Sequence, residues 1–121
     1  ETRLLRSETR FPCALACDIH QGPNESYGVI SNISHGGCQL GVNRDASYDF
    51  IESSIGENIT VALEVYFPTM ETPVIIEAFV RSASCQMDGA CKVGIAFRQN
   101  YEVVRKYLES LQLDSVSPFF R

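Results

Sequence analysis

Phe11-Pro12-Cys13-Ala14-Leu15-Ala16-Cys17-Asp18-Ile19-His20 decides the architecture, because Phe11, Cys13, Leu15, Cys17 and Ile19 fall at alternate positions. That period of two puts one face of an extended strand on a core and leaves the other to solvent. Working outward, residues 21–26 gather Gly, Pro, Asn and Ser and predict a turn, after which residues 27–34 read as a second strand. Gly36 and Gly37 supply backbone freedom for the next reversal, and residues 38–42 make a short third strand. Residues 43–58 are polar and read as a loop with room for a turn of helix. Residues 59–67 and 74–86 resume β-rich composition on either side of a break at 68–72. Asp88-Gly89 marks a hairpin turn before a last strand over 90–97. Behind it the period changes, with Val103, Val104, Tyr107, Leu108 and Leu111 on one helical face and Asn100 at the N-cap position. The expected fold class is mainly β: a six-stranded antiparallel barrel with a C-terminal α-helix over about 101–113.

With 121 residues, 45% of them apolar and 21% charged, the chain is sized for one domain whose core needs no disulfide or metal. Residues 1–10 form an arginine-bearing lead-in, expected to be flexible, and 11–121 the barrel with its helix. A net charge of −5 opposes a polymeric nucleic acid partner. Yet Arg3, Arg6 and Arg10 place three of the ten basic residues in the lead-in, which favours a small, defined anion. The apolar runs are far shorter than the roughly 20 residues of a membrane span. The five cysteines, Cys13, Cys17, Cys38, Cys85 and Cys91, contain no CxxC pair, so no metal is expected. With no signal-like segment at the start, they read as reduced, mostly buried thiols in a cytoplasmic protein, with Cys85 and Cys91 flanking a turn as the pair able to bridge. A chain that begins at Glu1 rather than Met is expected to be a fragment or a processed product.

No enzyme is expected. His20 and His35 each precede a turn, and no HExxH, GxSxG or P-loop pattern occurs. Two other constellations remain. Arg6 and Arg10, separated by Ser7, Glu8 and Thr9, stand directly before the first strand. Asn32, Ser34 and Gly37 end the second strand, where Asn32 and Ser34, two positions apart, are expected on one face at about 6 to 7 Å. Taken singly, these read as a solvated charged lead-in and a strand that ends in turn formers.

Together they resemble the PilZ domain, the small β-barrel receptor for bacterial cyclic di-GMP. Its pattern, RxxxR before the first strand and then (D/N)xSxxG, is met by Arg6, Arg10, Asn32, Ser34 and Gly37. Phe11 and Pro12 after the second arginine, the Gly37-Cys38-Gln39-Leu40 run, and Val93-Gly94-Ile95-Ala96-Phe97 are similar to the family as well. The likeness thins over 43–58 and from Asp114. It implies cyclic di-GMP as ligand, with no cofactor, held by those five residues, with Arg3, His35 and Gly36 as further candidates. A guanidinium suits that ligand, because its planar fork matches phosphate oxygens or guanine O6 and N7 and its flat face stacks on a purine. Asn32 stands where many relatives have Asp. Leu5 stands where many have a further arginine, which disfavours a stacked pair of the dianionic ligand and implies one ligand per chain. The resemblance also implies a further domain upstream, as in flagellar-brake-type relatives, and an unidentified protein effector in motility or biofilm control. The alternatives are a PilZ-like protein-interaction module that binds no nucleotide, an oligonucleotide-binding barrel, and a flavin-binding split barrel.

Overall fold

The computed structural model describes residues 9–116. Leu15, Cys17 and Ile19, none more than 2% exposed, are the inward set of strand β1, Phe11–Gln21. It is followed by β2 (Asn24–Ile33), β3 (Gly37–Asn43), β4 (Thr60–Val65), β5 (Val74–Cys85) and β6 (Ala90–Phe97). They close as a barrel in the order β1-β2-β3-β6-β5-β4, every neighbouring pair antiparallel, with β4 returning to β1. This is the expected six-stranded architecture. β2 starts earlier than composition suggests, because the β1–β2 hairpin needs only Gly22 and Pro23. Gly22 has φ +59, at the position a type II′ turn reserves for glycine.

Residues 43–58 hold more structure than a loop. A 3-10 turn, Ala46–Tyr48, runs into helix α1, Asp49–Ser53, with the Asp45 carboxylate accepting from the Ser47 N–H at 3.0 Å. Tyr48, Phe50 and Ile51 are buried, three apolar side chains hidden in a polar segment. The Gln21 amide donates to the Ser54 hydroxyl at 2.7 Å, which itself donates to the Phe50 carbonyl at 2.7 Å, so the plug is tied to the end of β1.

Helix α2, Glu102–Val116, docks its stripe on its own barrel: Val104, Tyr107 and Leu108 are buried, and the Tyr107 ring lies 5.2 Å from that of Phe67. Its first helical bond runs from the Arg105 N–H to the Tyr101 carbonyl at 3.1 Å, so the cap is Tyr101 and not Asn100, which lies one residue too early. The Tyr101 hydroxyl accepts from the Glu77 N–H at 2.9 Å and fixes the helix entry to β5.

One reading of the cysteines is corrected. Cys85 and Cys91 are disulfide-bonded, because they are direct cross-strand partners at the end of the β5–β6 hairpin. Cys13, Cys17 and Cys38 are thiols, the last two buried. Burial, and after it the nearby Asp18 and Glu64 charges, push the Cys17 thiol up to about 12; burial also raises Cys38. An unfolded thiol ionises near about 8.5, so above that pH the unfolded chain loses protons that the folded chain keeps. Stability is therefore expected intact below about pH 8.5 and falling through the window up to about 12, by up to ~1.4 kcal/mol per pH unit per thiol. Urea midpoints measured from pH 8 to 10.5 check this, and a flat profile would refute it.

Candidate functional site

Two β-bulges shape one region of the barrel wall. In β2, Ile30 pairs with Leu40 and Asn32 with Gln39, which leaves Ser31 as the extra residue. In β5, Val80 pairs with Ile95 and Ser82 with Gly94, which leaves Arg81 as the extra residue. The bulges flank one rung, since Gln39 and Gly94 are themselves partners in the β3–β6 pair. Bulges re-aim side chains, and these two lie beside Asn32, which holds Arg10, and at Arg81, which lines the same cavity as Arg10.

Arg10, at the entry to β1, is exposed, and its Nη1 donates to Asn32 Oδ1 at 3.0 Å. The Asn32 Nδ2 donates to Gln39 Oε1 at 3.1 Å. A neutral carboxamide thus positions the guanidinium without cancelling its charge, as an aspartate would in part.

Ser34 departs from the one-face expectation. It is buried, and its N–H and hydroxyl both donate to the Gly37 carbonyl, at 2.8 and 3.3 Å, closing the β2–β3 hairpin. This closure turns Ser34 inward beside the buried Ile33, where regular alternation would have left it half-buried like Asn32. Gly37 is required for a different reason from the one sequence suggests. A Cβ there would come within 2.2 Å of the Ile95 carbonyl oxygen, so the close approach of β6, not a left-handed φ, excludes a side chain.

Arg10, Ser34, Gly36 and Gly37 line one cavity of about 280 Å³, together with Arg81 and Ser82. Among the described residues its lining holds two guanidinium groups and no carboxylate. His35 turns elsewhere, to a separate cavity with Asn100, Tyr101 and Arg105. Arg3 and Arg6 lie outside the described residues. Arg81 is the residue that sequence reading missed. Its guanidinium carbon sits 5.1 Å from the Phe79 ring centroid, a cation–π contact that steadies it at the cavity wall. Its only sequence signal is a lone cation in an apolar strand.

The family model of the PilZ domain matches residues 4–111. The chain belongs to the PilZ domain family. Among solved structures, the Bacillus subtilis inhibitor of motility MotI is 20% identical with a TM-score of 0.66, over 92% of this chain and 53% of that one. The PilZ domain of Escherichia coli YcgR with cyclic di-GMP is 15% identical with a TM-score of 0.64, over 96% of this chain and 98% of that one. The Borreliella burgdorferi PlzA complex with cyclic di-GMP is 16% identical with a TM-score of 0.62, over 94% of this chain and 55% of that one. This PilZ domain therefore spans about half the length of MotI and PlzA. No curated protein sequence matches it. Among the described residues, no helix is long and apolar enough to cross a membrane.

Proposed function

We propose that this PilZ domain is a cytoplasmic receptor for cyclic di-GMP, binding it with Arg6, Arg10, Asn32, Ser34 and Gly37, and that Arg81 adds a further cation to the site. The observation that carries the reading is the cavity beside the β2–β3 hairpin, which Arg10 and Arg81 both line and to which no acidic side chain among the described residues contributes, on a chain of net charge −5. A cyclic dianion with two guanines suits that lining. Guanidinium forks pair with phosphate oxygens or with guanine O6 and N7, and glycines leave room for the ring system to approach the backbone. Asn32 keeps Arg10 at the rim in the absence of ligand, so part of the ordering cost of binding is met in advance.

The ligand then bridges residues 1–10, which carry Arg6, to the barrel wall. Held there, the lead-in changes the orientation of whatever precedes it, and that movement is the signal passed to an effector. Small-angle scattering of the intact protein is expected to differ with and without ligand; superimposable curves would overturn this step.

Calorimetric titration with cyclic di-GMP, cyclic di-AMP and GTP tests the receptor reading. Saturable binding of cyclic di-GMP alone, at one ligand per chain, is expected. A stoichiometry near two would overturn the single-ligand reading based on Leu5. No heat with cyclic di-GMP would replace the receptor by a protein-interaction module of the same fold.

A further inference from the structure

We propose that Asp18, His20 and Glu64 bind a divalent transition-metal ion of the zinc class on the outer barrel wall. Asp18 and His20 are two apart on β1 and share its outward face, alternating with the inward residues Cys17 and Ile19. Glu64 lies directly opposite Asp18 in the β1–β4 pair. One ligand atom from each of the three falls within 4.8 Å of the others.

Two carboxylates directly opposed across a strand pair repel each other and destabilise the sheet unless a cation lies between them. A metal ion does this, and the imidazole sets its class. His20 Nε2 and Glu64 Oε1 hydrogen-bond to each other at 3.1 Å; an entering ion would replace that contact, and the spacing is close to the roughly 3.4 Å edge of a tetrahedron with zinc–ligand bonds of about 2.1 Å. An imidazole with two carboxylates favours zinc, nickel or copper over magnesium and calcium. The Tyr66 hydroxyl donates to Asp18 Oδ2 at 2.9 Å, which orients that carboxylate and leaves its other oxygen for the ion, the outer-shell support that metal carboxylates commonly have. All three groups are half-buried, screened from bulk water yet open to an entering ion. The fourth position is left to water.

The group lies near the far end of β1 from Arg10, so it is separate from the proposed nucleotide site. Its ion would span the pair that closes the barrel, joining residues 44 positions apart in the chain. The neighbouring thiol does not compete, because Cys17 points into the core.

Calorimetry of the intact protein with zinc chloride, without nucleotide, is the test, with proton NMR of the His20 ring as a second readout. Expected are one ion per chain, a shift of the His20 resonances on addition of zinc, little response to magnesium, and loss of affinity by at least about tenfold in His20→Gln, Asp18→Asn and Glu64→Gln. These surface variants keep the packed interior, and their circular dichroism should match the parent. Binding weaker than about 1 mM, or zinc affinity indifferent to His20→Gln, would overturn the proposal. Neither result depends on whether cyclic di-GMP binds.

Discussion

Replacing Arg10 by alanine is expected to weaken cyclic di-GMP binding by roughly ten- to more than a hundred-fold, the equivalent of ~1.5 to 3 kcal/mol for a charge-assisted hydrogen bond. Arg10 is exposed, its one described hydrogen bond goes to a neutral amide, and its charge is free to act on an entering anion. Folding should survive the change, since the side chain contributes little to the packed interior, and the urea midpoint should stay within experimental error of the parent. Arg10→Lys separates charge from geometry: it keeps the cation but loses the planar fork, so an intermediate loss is expected. Arg6→Ala should resemble Arg10→Ala. Parent-like affinity in either alanine variant would show that the arginine pair does not hold the ligand.

Gly37→Ala is expected to be damaging in two ways at once. The added methyl meets backbone on β6, 2.2 Å from the Ile95 carbonyl oxygen and 3.4 Å from the Ala96 Cα, and backbone in a paired strand yields poorly. Overpacking of this kind costs about 1 to 3 kcal/mol. The strain also falls on the cavity wall itself, so cyclic di-GMP affinity should drop with stability. Gly41→Ala is the contrast, because its nearest obstacle is the Val29 carbonyl oxygen at an ordinary 3.8 Å, and it should unfold like the parent. Denaturant unfolding and nucleotide titration of both variants check the pair. A Gly37→Ala protein that binds and unfolds as the parent does would remove the close-approach argument.

What sequence made legible, and what it hid, divides along physical lines. The strands were readable because Leu15, Cys17 and Ile19 obey a strict alternation that only one-sided burial requires, and the last helix because Val104, Tyr107 and Leu108 repeat at helical spacing. Irregularities were not. A bulge adds one residue without changing composition, so nothing marked Ser31 or Arg81 as unpaired, and the inward turn of Ser34 depends on its closure onto the Gly37 carbonyl, which alternation does not show. The plug containing Tyr48 and Ile51 was masked by its polar neighbours. The Cys85–Cys91 bridge depended on exact cross-strand register, which a turn signal alone leaves open by a residue. The grouping of Asp18 and His20 with Glu64 depended on which strand closes the barrel, and no local pattern encodes that.

That closure limits how the domain can meet other proteins. With β4 hydrogen-bonded to β1 over residues 17–20, the barrel closes, and among the described strands the edges without a ladder partner are short stretches, residues 11–15 of β1 and 81–85 of β5 among them, which confines strand addition by a peptide to such stretches. An effector that does not use those stretches would read loops and side chains instead, and its footprint should then be sensitive to point substitutions on the surface and indifferent to main-chain complementarity.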